Sequence, residues 1–344
     1  MRTVTLAYAG GVNERVEPLL DGRVKAEGIE IIATRSHPSE TFWRQLSFQH
    51  FDFFEMSISS YLIARDQGSD LIAIPAFPSR MFMHTSLSVH RDAGIDGPES
   101  VRGKRLGVGE YQQTMAVWIR GILEHDFGVG QNEIDWFVER TEELSHGGAT
   151  GFAPPAGVRF HRVPADTTLL QMLLDREIDV ATARASGAAQ AYPVGPMSWN
   201  FVDRATRRPV VGDRSMIRPL FPDRLAEASR FVAEHGYVPA NHCFAIRGDV
   251  HERYPWAAFN LYRALIDAKT VASRDLVSSI PSALFFGEEY LAETRRICGD
   301  DPFPYGIEAN RAMLEFLTQM SYEQGLVKVR PRVDDLFLPE FRQI

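Results

Sequence analysis

Cysteine is scarce: Cys243 and Cys298 are the only two in 344 residues. Two thiols do not make a disulfide framework, and both read as reduced and buried. Positive charge is also short, with 37 Lys and Arg against 45 Asp and Glu and a formal net charge of −8. Without a Lys/Arg run the chain lacks the electrostatic footprint of a nucleic-acid binder, which turns attention to small molecules. No apolar run approaches the roughly 18 residues that a membrane-spanning helix requires. The opening "MRTVTLAYAGG" enters a strand-like run without the basic, apolar and small-residue segments of a secretory leader. These absences predict a cytoplasmic protein with neither nucleic acid nor membrane as a partner.

Several chemical signatures are missing as well. "AGGVNER" lacks the GxGxxG spacing, and neither GxxxxGKS nor GxxxxGKT occurs, which argues against dinucleotide and P-loop nucleotide binding. Gly10 and Gly11 therefore read as a tight turn. HExxH and CxxC are absent, and His84 and His90 lie too far apart along a strand to chelate one ion, so nothing supports a metal. The GxSxG elbow of serine hydrolases is missing too.

What is present is ordinary globular composition, 44% hydrophobic and 24% charged, written in two alternating periods. Short apolar runs such as "RTVTLAYAG", "GIEIIAT", "HFDFFEMS" and "DLIAIPAF" alternate with helical patterns such as "SETFWRQLSFQ", "SSYLIARDQG" and "QTMAVWIRGILEHDFG". The alternation predicts an α/β fold with mostly parallel sheets flanked by helices. It occurs twice, first to about residue 85 and again from "KRLGVGE" to "EIDVATA", after which "YVPANHCFAIRG" reads as one further strand. A chain that leaves one lobe and later returns to it makes two hinge crossings, here near 85–90 and 236–246, with a cleft between the lobes. The expected domains are a discontinuous first lobe, 1–87 with 240–344, and a second lobe, 88–239. The stretch "SHGGATGFAPPAG", 145–157, is expected as a loop over the cleft mouth.

Ligands of such sheets bind outside the carboxyl ends of the strands. Glu55 and Ser57 close an apolar strand in "FFEMSISS", with Ser57 or Ser59 as a helix N-cap the simpler alternative. Gln112 and Thr114 open the clearest helix of the second lobe, where free N–H groups favour an anion; a plain cap by Thr114 is compatible with that. Arg80 stands where a strand should end. An arginine is rarely buried unpaired, so it either meets Glu55 or Glu110 in an ion pair or forks onto a ligand carboxylate. Arg15 and Arg184 pose the same choice, and three arginines at cleft edges favour an anionic ligand. His84 and His242 lie at the two crossings. A histidine on an apolar strand is ordinarily a core residue, but beside an arginine cluster a ring titrating near neutrality suits proton transfer.

The segments "PLLDGRVKAEGIEI", "FFEMSISSYLIAR", "IPAFPSRMFMH", "RLGVGEYQQTMAVWIRGILEHDFGV", "TLLQMLLDREIDV" and "DPFPYGIEANRAMLEFL" resemble the 4,5-dihydroxyphthalate decarboxylase family nearly end to end. The likeness is most specific in "PSRMFMH" and "EYQQTMAVWIRG". It implies a two-lobed type II periplasmic-binding-protein-like fold and conversion of 4,5-dihydroxyphthalate to protocatechuate and carbon dioxide, with no organic cofactor. Such chemistry asks for cations at two carboxylates, a base at a ring hydroxyl, an acid over the ring carbon and exclusion of water. Within that frame Arg80 and Arg184 are expected as carboxylate clamps with Arg15 third, His84 as the acid, and Glu55 or His242 as the base. The expected partner is a small aromatic acid, and self-association into a homo-oligomer stays open. The alternative is a solute-binding protein that holds an aromatic acid in the same cleft without catalysis.

Overall fold

The computed structural model of the chain describes residues 3–11, 13–141, 145–182 and 210–342. Two mixed sheets organise it. The first takes β1 (Val4–Gly10), β2 (Ile29–Arg35), β3 (Phe53–Ser57), β4 (Ile72–Arg80) and β11 (Ala240–Ile246), in the order β2-β1-β3-β11-β4. The second takes β5 (Ser88–His90), β6 (Arg105–Val108), β7 (Asp135–Val138), β8 (Arg159–Arg162), β9 (Val180–Ala181) and β10 (Ile217–Pro219), in the order β10-β5-β9-β6-β7-β8. β1, β2 and β3 run parallel to one another, as do β6, β7, β8 and β9. The antiparallel members stand where the chain changes sheet: β5 pairs with β9 and β10, and the returning β11 slots between β3 and β4.

β3 lies at the centre of its sheet with all five residues buried. A strand covered on both faces should be apolar throughout. Glu55 and Ser57 break that rule two residues apart, hence on one face. The register sets His242 opposite Ser57, Phe244 opposite Glu55 and Arg80 opposite Ala240. The carboxyl ends of β3 and β4 and the start of β11 thus bring an acid, a hydroxyl, an imidazole and a guanidinium to one edge.

Helices α1 (Glu17–Leu20), α2 (Pro38–Phe48) and α3 (Ile58–Asp66) follow strands of the first sheet, and α4 (Thr114–His125), α5 (His146–Ala149) and α6 (Leu169–Leu174) follow strands of the second. After β10 come α7 (Arg224–His235), α8 (Gly248–Arg253), α9 (Ala257–Ala283), α10 (Gly287–Cys298) and α11 (Arg311–Glu323). α4 is apolar nearly all round and buried, the pattern of a helix enclosed by other elements. Its Trp118 indole donates to the Ala240 carbonyl at 2.9 Å. Gly121 lets Met320 of α11 lie against its backbone, where a Cβ would overlap the sulfur. One apolar core runs from Phe53 and Phe244 through Trp118 to Trp136, and a smaller one gathers Leu169, Leu173 and Ile178 beneath the second sheet.

Two expectations change. The stretch that holds His84 and His90 is not a strand throughout, because Met83–Ser86 form a 3-10 turn before β5. Cys243 is buried as expected, but Cys298 is only half-buried at the exposed end of α10. Among the described residues no helix is long and apolar enough to cross a membrane.

Candidate active site

At the end of β3 the Glu55 carboxylate, 4% exposed, accepts the Gly11 N–H at 2.7 Å and lies 2.6 Å from His242 Nδ1. Burial alone would raise its pKa. The charge of His242, the hydrogen bond to that ring and the Gly11 N–H together overcome burial and hold the carboxylate below its ordinary range. Phe42 of α2 packs edge-on over the imidazole with centroids 4.9 Å apart, and His242 Nε2 lies 3.0 Å from the Asn241 amide nitrogen. Glycine is required at position 10, where a Cβ would overlap the Tyr8 hydroxyl and come within 3.2 Å of Glu55 Cβ. An imidazole oriented on one nitrogen by a buried carboxylate is equipped to move a proton at the other.

Arg15 and Arg80 stand beside this pair. Arg15 donates to the Pro78 carbonyl at 2.5 Å and covers the Phe303 ring at 3.7 Å. Arg80 donates to the carbonyls of Val238 (2.8 Å) and Pro304 (2.9 Å) and to the Asn310 amide oxygen. Neither forms an ion pair among the described residues: Glu55 is taken by His242, and Glu110 by Arg140 at 2.7 Å. Burial lowers the pKa of both guanidiniums, that of Arg80 to about 10, and Arg15 adds to the depression at Arg80. Two neighbouring cations, Arg80 buried and Arg15 half-buried, held only by neutral oxygens leave an excess of positive charge for an anion to meet.

The second sheet contributes the opposing wall. Ser57 Oγ is 2.9 Å from Thr114 Oγ1, which also accepts the Ser59 N–H at 3.1 Å, and Ser59 Oγ donates to the Gln112 carbonyl at 2.6 Å. Ser57 and Gln113 occupy the cap positions of α3 and α4, yet neither side chain caps its helix. The hydroxyls instead tie the two helix starts together, with Thr114 at the start of α4 satisfying the Ser59 N–H in the first turn of α3. His146 of α5 lies 2.6 Å from Ser60 Oγ and 3.3 Å from Glu110 Oε1. Burial, only partly opposed by Glu110, lowers its pKa to about 4, so the ring is neutral at pH 7. Phe42 touches both His146 and His242 and joins the two halves into one cluster.

The structure therefore brings together Glu55, His242, Arg15, Arg80, Ser57, Gln112 and Thr114. It does not bring His84 to them. That ring, fully buried on the 3-10 turn, places Nε2 2.7 Å from Glu227 of α7 and packs against Phe221 and Phe231. Its partners include no residue of the cluster. Arg184 lies outside the described residues. Sequence reasoning missed Tyr8, Phe42, Ser60, His146 and Tyr305. Of these only His146 carried a signal, since the glycines after it in "SHGGATG" allow close approach, and the start of that segment docks on α2 and α3. Among the described residues one set, Asp126, Glu234 and His235, has the spacing to share a metal ion. Arg230 already bridges both of its carboxylates, at 2.7 and 2.6 Å, and neutralises them.

No family model matches the chain. Over 342 residues it is 31% identical to a 4,5-dihydroxyphthalate decarboxylase of Comamonas testosteroni, covering 98% of each. The chain belongs to the 4,5-dihydroxyphthalate decarboxylase family. Over 180 residues it is 37% identical to a 4,5-dihydroxyphthalate decarboxylase of Pseudomonas putida, covering 52% of this chain and 70% of that one. Among solved structures it is similar to the periplasmic aliphatic sulphonate binding protein SsuA of Escherichia coli, with TM-score 0.52, 11% identity, and coverage of 98% of this chain and 92% of that one. It is also similar to the alkanesulfonate-binding protein SsuA of Xanthomonas axonopodis pv. citri, with TM-score 0.53, 13% identity and 98% of both chains covered. At that identity the likeness is one of fold, and it gives this member of the decarboxylase family the periplasmic-binding-protein-like architecture that its sequence implied.

Proposed function

We propose that the protein decarboxylates 4,5-dihydroxyphthalate to 3,4-dihydroxybenzoate and carbon dioxide, with the Glu55–His242 pair supplying the proton. The observation that carries this reading is the buried pair, 2.6 Å apart, standing beside two guanidiniums that no described carboxylate neutralises. The activity for which both relatives are named supplies the substrate.

The chemistry follows from the ring. Each hydroxyl of 4,5-dihydroxyphthalate is para to a carboxyl-bearing carbon, so a phenolate at that oxygen pushes electron density onto the carbon. Arg15 and Arg80 hold the carboxylates. His242, oriented by Glu55, delivers a proton to the carboxyl-bearing carbon, and the phenolate becomes the carbonyl of a dienone. The bond from that carbon to the carboxylate then breaks. Its electron pair restores the aromatic ring and the phenolate, and carbon dioxide leaves. One proton is consumed per turnover and no electron is gained or lost. Phe42, 2% exposed, covers the imidazole and keeps water from the proton in transit.

The test is to incubate the purified chain with 4,5-dihydroxyphthalate, measure carbon dioxide and identify the aromatic product by chromatography. Equimolar carbon dioxide and 3,4-dihydroxybenzoate are expected. Binding of the compound with no carbon dioxide released would refute the reading and leave a solute-binding role.

A further inference from the structure

Beside the proton-transfer pair, four buried polar atoms have no hydrogen-bond partner: Tyr8 Oη, Tyr305 Oη, Arg15 Nε and Arg80 Nε. Buried polar atoms are nearly always paired, and orphans gathered at one place mark a group that something else completes. Tyr8 holds its hydroxyl over the Gly10 backbone, beside Glu55. Tyr305 is fixed by the Gly306 N–H, which donates to the Pro75 carbonyl at 2.8 Å, and by the Lys269 ammonium 4.7 Å from its ring centroid. The charged groups that its hydroxyl feels are Arg15, Arg80, Asp301 and Glu55, and Tyr8 in turn feels Glu55, the Glu17–Arg35 ion pair and Tyr305. The other two acids have partners as well: Glu55 is held by His242, and Asp301 by Lys269 at 2.5 Å.

The four orphans share one character. Each carries an N–H or O–H, and the Tyr305 phenol lies next to Arg15 and Arg80, cations that favour an acceptor opposite it. A ligand that satisfies all four must be rich in acceptors and negative. One carboxylate can accept up to about four hydrogen bonds, but only in one plane around a single carbon; donors contributed from four separate segments, β1, the loop after it, the end of β4 and residues 301–306, suit two adjacent carboxylates. Arg120 shows the contrast. It is more deeply buried and its Nη2 is likewise without a partner, but it stacks 3.7 Å over Tyr111, bonds Gln324 and the Tyr111 carbonyl, and among the described residues has no second guanidinium beside it.

We infer that Tyr8 and Tyr305 join Arg15 and Arg80 in a donor-lined recess that recognises a vicinal aromatic dicarboxylate, and that Tyr305 decides between such a ligand and a monocarboxylate. The inference rests on the proposed function for the position of the reacting carboxylate, while recognition itself is tested with compounds that cannot react. Calorimetry measures phthalate and benzoate binding to the wild-type chain and to Tyr305→Phe, with thermal melting to establish that the variant folds. A lost hydrogen bond to a charged oxygen corresponds to roughly ten- to hundredfold in affinity. Wild type is expected to bind phthalate at least about tenfold more tightly than benzoate, and Tyr305→Phe to weaken phthalate by about tenfold or more with benzoate within about twofold. Unchanged phthalate binding, or equal weakening of both ligands, would overturn the inference. If Tyr305→Phe does not fold, Tyr8→Phe is judged by the same two ratios. Tyr305-dependent phthalate binding in a chain that releases no carbon dioxide would sink the proposed function alone; turnover with no phthalate preference would sink this inference alone.

Discussion

Replacing Glu55 by glutamine separates the charge of this side chain from its shape. The amide would keep the volume and could still accept the Gly11 N–H, but it would offer no negative charge to His242 Nδ1, which lies 2.6 Å from the native carboxylate. The two side chains are 5% and 13% exposed, so solvent screens the pair little. Removing one partner of a buried pair costs roughly 3–5 kcal/mol. The pH dependence has a definite sign. Folding holds the Glu55 pKa below its ordinary 4.5, so its contribution is fully present above that value and is lost as pH falls through the lower folded value. Urea unfolding of Glu55→Gln should therefore show the full deficit at pH 7 and a shrinking one below about pH 4.5. Turnover should fall by roughly 10²- to 10⁴-fold, the usual worth of positioned proton transfer. A deficit under about 1 kcal/mol, a deficit that grows on acidification, or turnover within about tenfold of wild type would refute the reasoning.

Two further outcomes follow from the same cluster. His146 has a pKa near 4 in the fold against an ordinary 6.5, so the unfolded chain takes up the proton first and stability should decline as pH falls between those values, by roughly 3 kcal/mol in all. Urea midpoints at pH 7.5 and pH 5 should show that decline in wild type and a smaller one in His146→Gln. Arg80→Lys keeps the charge but cannot reach the Val238, Pro304 and Asn310 oxygens together. Calorimetry should find its phthalate affinity reduced by roughly tenfold or more.

Much of the scaffold was legible because it is periodic. Apolar runs spaced by amphipathic stretches announce strands and helices locally, and "YVPANHCFAIRG" stood out as a late strand, which the structure places between β3 and β4. Glu55 and Ser57 were legible because they interrupt an apolar strand, and Thr114 because it opens a strong helix. The reason it matters differed from the simple reading: its hydroxyl bonds Ser57 and accepts the Ser59 N–H in the first turn of α3 across the cleft, not an N–H of its own helix. His84 shows the limit of proximity along the chain. It follows Arg80 by four residues, but β4 ends at Arg80 and the 3-10 turn swings the ring onto Glu227. Tyr305 and His146 reach the cluster from distant segments, and no local period encodes such tertiary approach. The reaction class came from family resemblance, because two carboxylate clamps and a histidine form no motif of fixed spacing.

The most direct test of the account compares two histidines under saturating 4,5-dihydroxyphthalate. His242→Gln should lower kcat by roughly 10²-fold or more with phthalate affinity within about threefold, because the ring moves a proton and does not hold the ligand. His84→Gln should keep kcat within about threefold while its melting temperature drops, because the ring is a buried partner of Glu227. The opposite pattern, turnover lost in His84→Gln and kept within about tenfold in His242→Gln, would contradict the account.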